Sequence, residues 1–183
     1  MLSLCSRLSC VHAGFGQTWV GAPHGSPVPQ AEIVLVAKSL NRSGLHVLPE
    51  AQIEQVLWEK LAVNACINAV TALLNCQNGI PARNRHGQHV FKTVCKEIED
   101  LMEATGLDVP PAAGLLKRVF LVSSQTADNF SSMQQDMIAC RNTEIDYING
   151  FVVKQGARLQ IPTPANDVIY NIIKIKEAIQ RRS

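Results

Sequence analysis

From residue 30 onwards, apolar side chains recur every three or four residues along most of the chain, which is the spacing of amphipathic helices. The pattern predicts a short helix over 31–40, a brief extended piece at 46–48, a long and largely buried helix over 49–75, and further helices over 88–105, 112–124, 129–148 and 164–181. The predicted fold is therefore mainly α-helical.

Residues with special backbone preferences mark the ends of these helices. Pro49 is suited to the first position of a helix, and Gly106 is suited to a left-handed cap before the Pro110–Pro111 break. Residues 129–132 supply N-cap candidates for the next helix, which we predict to end at Asn149-Gly150. The long helices are thus separated by short connections.

The first 48 residues differ in composition from the rest of the chain. Residues 1–31 are rich in Gly, Pro and Ser, and short apolar runs such as 18–21 indicate fragments of strand and turn. We therefore divide the chain into an irregular segment over 1–48 and a helical domain over 49–183. A chain of 183 residues is long enough for one domain with a sizeable core.

The overall composition excludes several classes of protein. A net charge of +2 and 5% aromatic residues provide neither the basic face nor the stacking surface of a nucleic-acid-binding protein. The longest apolar stretch, 61–74, is interrupted by polar residues, so we expect no membrane span. The six cysteines form no CxxC pair, and His86, His89 and Cys95 match no standard metal-site spacing, so we predict a reduced protein without a bound metal.

One polar stripe on the long helix needs an explanation. At 100° per residue, the side chains of Lys60, Thr71, Asn64, Asn75 and Asn68 fall at about 0°, 20°, 40°, 60° and 80°. Asparagine is a poor residue for a helix interior, and burying an unpartnered amide costs about 1–3 kcal/mol. The stripe is either a solvent face, a set of groups paired with neighbouring helices, or a binding surface for a polar ligand.

A second unusual feature is the alternation of acidic and apolar residues over 143–150. Carboxylates at the predicted C-terminus of a helix oppose its dipole. The simple interpretation is a solvated pair, Glu144 and Asp146, with Tyr147 and Ile148 turned inward. The alternative is that Glu144 has a binding partner.

Three separated motifs resemble the signatures of one enzyme family, the ketopantoate reductases. They span residues 58–79, 129–136 and 141–150, and their order and spacing agree with that family over about residues 50–175. The resemblance implies an all-α domain of the 6-phosphogluconate dehydrogenase C-terminal type. It also implies the NADPH-dependent reduction of ketopantoate (2-dehydropantoate) to pantoate, on the route to pantothenate and coenzyme A.

The same resemblance assigns roles to individual residues. Lys60 matches the general acid of the family, a role suited to a lysine whose pKa is lowered by burial. Glu144 matches the acid that accepts a hydrogen bond from the substrate hydroxyl. Further matches to substrate-binding residues lie on the long helix, in the loop after it and at the second motif, namely Asn64, Asn68, Asn78, Asn129 and Ser132. Ser132 corresponds to the residue that binds the substrate carboxylate.

The sequence departs from the family at its front. The family carries a nucleotide-binding domain with a GxGxxG turn, which is absent here, whereas residues 12–21 resemble the last strands of that domain. We therefore expect that residues 1–48 are a remnant of the nucleotide-binding domain, most of which is missing. The chain would then be incomplete as an isolated enzyme. One alternative is a non-catalytic module, which either binds a small 2-oxo or 2-hydroxy acid or stabilises a partner reductase. A second alternative is that the sequence is a truncated gene product.

Location and assembly follow from weaker signals. Residues 1–31 lack Asp and Glu, as mitochondrial transit peptides do, but the first 40 residues contain a single arginine. We expect a cytoplasmic protein, with a mitochondrial one as the alternative. The resemblance leaves open a homodimer formed through the helical domain.

Overall fold

The computed structural model describes residues 3–6, 9–12, 16–109 and 114–180. The chain divides into two compact units, Met1–Val56 and Leu57–Ser183. The boundary between these units falls inside the long helix.

The first unit contains two small sheets. Strands β1 (Ser3–Ser6) and β2 (Ser9–His12) are antiparallel, whereas β3 (Thr18–Val20) and β4 (Val47–Pro49) are parallel and are connected by helix α1 (Gln30–Asn41). The predictions of a helix over 31–40 and an extended piece over 46–48 are confirmed. This β-α-β arrangement is the unit from which parallel sheets are built.

The Asn41 side chain joins helix α1 to strand β4. Its amide donates to the carbonyls of Ala37 (2.9 Å) and Val47 (2.6 Å), and its oxygen accepts from the Val47 N–H (3.0 Å).

The prediction that Pro49 begins the long helix is wrong, because Pro49 is the last residue of β4. The next N–H, from Glu50, donates to Val20 across the sheet at 2.8 Å, so the chain stays extended.

The long helix is continuous but not uniform. Helix α2 (Ile53–Val63) passes into a π turn (Asn64–Asn68) and then into α3 (Ala69–Leu74). Asn75 ends the helix in the left-handed conformation with φ 50°. Because a π turn has i→i+5 hydrogen bonds and is wider than an α turn, the 100° spacing used for the polar stripe does not hold across it.

The remaining helices of the second unit pack around this one. They are α4 (Gly79–Arg83), α5 (Arg85–Ala104), α6 (Gly114–Gln125), α7 (Ser132–Ile138), α8 (Asn149–Leu159) and α9 (Pro164–Gln180), with a 3₁₀ turn at Ile145–Tyr147. The core contains the π-turn residues 65–67 and the inner face of α5, including Phe91 and Ile98. The mainly α fold is confirmed, and α4 is a helix that the sequence did not predict.

Helix boundaries agree with the predictions at some places and not at others. Gly106 has φ 75° after α5, as predicted. The Pro110–Pro111 break and the end of the last helix at Arg181 lie outside the described residues. The single predicted helix over 129–148 is wrong.

The actual end of α7 comes ten residues before Ile148. Cys140 is left-handed (φ 53°), and the Arg141 N–H donates to the Asp136 carbonyl at 2.8 Å, which closes a Schellman-type cap. Gly150 then lies at the start of α8, where a Cβ would lie 2.9 Å from the Tyr170 ring. Asn149-Gly150 therefore begins a helix, and close packing explains the glycine.

Among the described residues, the segment Ile53–Leu74 is long and apolar enough to cross a membrane by length and composition. The core helix of a soluble protein meets the same criterion. Here Ala62, Ala65, Cys66 and Ala69 are 0% exposed because other helices cover them. This burial favours a core helix.

Candidate functional site

The polar stripe runs from solvent into the protein core. Lys60 is exposed, Asn64 and Asn68 are half-buried, and Thr71 is fully buried. Asn75 is exposed again at the helix end. The prediction that all five side chains lie within one narrow sector of the helix surface is therefore too simple. The π turn changes the direction of the side chains that follow it. The burial expected around Lys60 is not found among the described residues.

Thr71 connects the long helix to the second motif. Its hydroxyl donates to the Ile67 carbonyl (2.7 Å) and lies 2.8 Å from the hydroxyl of Ser131. Either hydroxyl can be the donor between the two. Ser131 also accepts the Gln134 N–H at 3.2 Å as the N-cap of α7. Ser131 was not among the site residues predicted from the sequence, although it was one of the N-cap candidates at 129–132.

Asn78 and Asn129 are neighbours in space. The Asn78 N–H donates to the Asn129 carbonyl (3.0 Å), and the Asn78 carbonyl accepts from Ser123 (2.7 Å). The Asn78 side-chain amide donates to Thr126 (3.1 Å), whereas its Oδ1 is buried without a hydrogen-bond partner. A buried acceptor without a partner is costly.

Close backbone packing holds this loop in place. The Gly79 N–H donates to the Ala127 carbonyl at 3.0 Å, and a Cβ on Gly79 would lie 2.8 Å from the Ala127 methyl group. Glycine is therefore required for the approach of the two loops. Ser132 and the Asn129 side chain are exposed beside it.

The position of Glu144 in the secondary structure differs from the one predicted from the sequence. It stands at the N-cap position of the 3₁₀ turn that precedes α8, not at a helix C-terminus. Acids before a helix are favourable, so the expected conflict with the dipole does not exist. The Glu144 side chain is exposed, and its carboxylate has no partner among the described residues. Tyr147, expected to turn inward, is 83% exposed, whereas Ile148 is buried.

A buried polar network supports the π turn. The Asn149 amide donates to the Ala65 carbonyl (3.4 Å) and to Asn166 Oδ1 (2.9 Å). The Glu97 carboxylate accepts from the backbone N–H of Ala165 (2.7 Å) and from the backbone and side-chain nitrogens of Asn166 (3.0 and 2.7 Å). The sequence did not indicate these residues, because the charged residues around Glu97 on α5 have the pattern of a solvent-exposed helix face.

A cleft of about 200 Å³ lies next to the Asn78 loop. It is lined by residues of α4, α6 and the loop after α6, including Arg83 and Ser123. Within the described part of the chain, no group of three or more His, Cys, Asp or Glu side chains is arranged to hold a metal ion.

The central helix consists of α2, the π turn and α3, carries half-buried amides, and packs against α5, α6, α7 and α9. This arrangement defines an all-helical domain built around one core helix. Residues 52–177 match the family described as "Ketopantoate reductase PanE/ApbA C terminal". The chain belongs to the ketopantoate reductase family.

Named relatives agree with this assignment. The 2-dehydropantoate 2-reductase of Pyrobaculum aerophilum is 42% identical over 144 residues, which cover 79% of this chain and 51% of that protein. The enzyme of the same name from Vibrio cholerae is 37% identical over 166 residues, covering 91% and 54%. A PanE/ApbA family ketopantoate reductase from Ralstonia eutropha has a TM-score of 0.81 at 24% identity, covering 94% and 55%. The chain spans about half the length of the curated relatives it matches.

Proposed function

We propose that this chain is the substrate-binding part of a 2-dehydropantoate 2-reductase, which reduces ketopantoate to pantoate. The names of the relatives support the reaction. The observation that carries the proposal is the contact between separated motifs. Thr71 meets Ser131 at 2.8 Å across 60 residues of sequence, and Asn78 meets Asn129 at 3.0 Å.

The residues have distinct proposed roles. When the carbonyl of a 2-oxo acid is reduced, its oxygen gains charge and needs a proton, which the ammonium group of Lys60 supplies. Asn64 and Asn68 lie on the π turn one and two turns beyond Lys60 and bind the substrate next to it. The substrate hydroxyl donates to Glu144.

The remaining polar groups bind the rest of the substrate. Ser132 binds the substrate carboxylate, as the resemblance implies, and Asn129 is a further substrate-binding residue. Asn78 binds a further polar group of the substrate, as the resemblance implies. A small hydroxy acid carries both a carboxylate and a hydroxyl, which is why pantoate fits this set better than an apolar ligand does.

NADPH is the proposed cofactor of the complete reductase. A D-mandelate dehydrogenase of the same fold (TM-score 0.84, 22% identity) was solved with NADH and anilino(oxo)acetate. The residues of this chain do not fit a nicotinamide cofactor by themselves, because the sequence has no glycine-rich turn to hold the pyrophosphate. We therefore derive no step through the cofactor for this chain.

We also propose that two copies pair through the helical domain. A ketopantoate reductase of Staphylococcus aureus with the same fold is described as dimeric. On helix α9, Val168, Ile172 and Ile175 are 56%, 45% and 60% exposed at helical spacing, which gives an aliphatic face suited to self-association. Analytical ultracentrifugation should give a dimer that Ile175→Asp dissociates, and a monomeric wild type would contradict the pairing.

A cytoplasmic location is our further proposal. The buried thiols of Cys66 and Cys95 lie 3.7 Å apart and are free, as expected in a reducing compartment. Recovery of the protein in mitochondria after cell fractionation would contradict this location.

Calorimetric titration with pantoate tests the proposed function. We expect wild type to bind pantoate and Asn68→Ala to bind it about tenfold more weakly, since one lost hydrogen bond to a ligand costs about 1.4 kcal/mol. Lys96→Met removes an exposed ion pair with Asp100 and serves as the control, with unchanged affinity. The proposal fails when wild type does not bind pantoate, or when Asn68→Ala binds it as tightly as wild type does.

Turnover is a separate measurement. NADPH oxidation with ketopantoate is compared between wild type and Lys60→Ala at equal concentration. We expect no turnover from the chain alone, since it has no cofactor-binding turn. Turnover that Lys60→Ala abolishes would support the role of Lys60 and would contradict our conclusion that the cofactor does not fit.

A further inference from the structure

The short segment around Glu144 is attached to helix α9 on both sides of that residue. On one side, the backbone N–H and the hydroxyl of Thr143 donate to Glu177 Oε1 at 2.8 and 2.7 Å. Thr143 and Glu177 are 8% and 4% exposed. This attachment is therefore made inside the protein, one residue before Glu144.

The second attachment lies two residues after Glu144. Asp146 accepts from the hydroxyl of Tyr170 (2.8 Å) and from the ammonium group of Lys174 (2.9 Å). Lys174 also lies 3.0 Å from Glu177 Oε2, so it bridges the two carboxylates. Thr143, Glu177, Lys174 and Asp146 thus close a ring between the Glu144 segment and α9.

The charges in this ring are stable near neutral pH. The hydrogen bonds from Lys174 and then Tyr170 lower the pKa of Asp146. Burial alone would raise the pKa of Glu177, but the two hydrogen bonds from Thr143 and the neighbouring Lys174 hold it below its ordinary value. Hydrogen bonds to Asp146 and Glu177 raise the pKa of Lys174. One cation and two anions are therefore fixed in a defined geometry.

Glu144 itself takes no part in the ring. Its carboxylate is exposed and unpartnered among the described residues, although its two neighbours in the sequence are buried. If the two attachments served only to hold this segment on α9, a free carboxylate at Glu144 between them would not be needed. A carboxylate that binds a ligand hydroxyl does benefit from a rigid backbone, because a fixed acceptor loses less freedom on binding.

We propose that Thr143, Lys174 and Glu177 are positioning residues that fix the direction of the Glu144 carboxylate towards the substrate hydroxyl. This inference rests on the proposed function, since it assumes that Glu144 binds pantoate. Helix α9 then contributes to binding without touching the substrate.

A double-mutant cycle on the full chain, with pantoate as the titrant, tests the inference. We expect Glu144→Gln to weaken binding about tenfold and Glu177→Gln to weaken it about three- to tenfold. In the Glu144→Gln background, Glu177→Gln should have almost no further effect, because the group that it positions is already altered. A general loss of structure would instead weaken binding equally in both backgrounds.

Milder variants keep the test valid should Glu177→Gln unfold the protein. Thr143→Val removes one donor to Glu177, whereas Thr143→Ser retains the hydroxyl, so we expect weaker binding from the first and rescue by the second. Lys174→Met should behave like Glu177→Gln, with Lys96→Met as the matched control.

Each outcome has a distinct meaning. Equal effects of Glu177→Gln or Thr143→Val in both backgrounds, or no effect in either, would overturn the positioning role while leaving the proposed function intact. Wild type that does not bind pantoate, or Glu144→Gln that binds it as well as wild type does, would overturn the proposed function and this inference with it.

Discussion

Replacing Glu97 with alanine should destabilise the helical unit more than any surface change on α5. The Glu97 carboxylate is 6% exposed and accepts hydrogen bonds from two backbone N–H groups at the start of α9 and from the Asn166 amide. Without it, the two nitrogens of Asn166, a residue that is 0% exposed, lose their acceptor. Each buried unsatisfied donor costs about 1–3 kcal/mol, and the lost charge at the helix N-terminus adds about 0.3–1 kcal/mol.

We therefore expect Glu97→Ala to lower the free energy of unfolding by about 3–5 kcal/mol, the range observed when one partner of a buried charged interaction is removed. Glu97→Gln keeps one acceptor oxygen and should cost about half as much. Urea unfolding followed by circular dichroism measures both. Glu103→Ala, at an exposed position on the same helix, is the control and should stay within about 0.5 kcal/mol of wild type. A cost below about 1 kcal/mol for Glu97→Ala would refute this reasoning.

Three further predictions concern packing, thiol reactivity and pH. Gly79→Ala should cost about 1–3 kcal/mol in urea unfolding, because its Cβ would lie 2.8 Å from a neighbouring methyl group, and an unchanged midpoint would contradict the close approach. Burial raises the pKa of the Cys66 thiol, so iodoacetamide followed by mass spectrometry should label exposed Cys140 before Cys66, and equal rates at these two residues would be inconsistent with this burial. The pKa of Glu177 is lowered on folding, so its contribution to stability is present at neutral pH and is lost as pH falls through the acid range. The unfolding midpoint of Glu177→Gln should therefore fall less steeply below about pH 4 than that of wild type. Parallel pH profiles of the two midpoints would contradict this prediction.

The sequence predicted those parts of the fold that local signals determine. Helix α1 and the cap at Gly106 follow from periodicity and from a residue that tolerates positive φ. The π turn has no such signal, since its wider hydrogen bonding is supported by the distant Asn149, which reaches the Ala65 carbonyl. The end of α7 was missed because Cys140 adopts a left-handed conformation that is unusual for cysteine.

Only part of the candidate site could be predicted from the sequence. The stripe at Lys60, Asn64 and Asn68 was visible because amides are unusual inside a helix. The contact of Thr71 with Ser131 and the role of Glu97 depend on which faces pack together, and a single sequence does not determine this. Glu144 was identified only by family resemblance, and its helix position was inferred wrongly.

The most direct test of the central claim is a crystal structure of the chain with pantoate. The account predicts pantoate within hydrogen-bond distance of Lys60, Asn68 and Glu144, with its carboxylate towards Ser132. Pantoate in the cleft that contains Arg83, or on any face that does not include the Lys60 stripe, would contradict it.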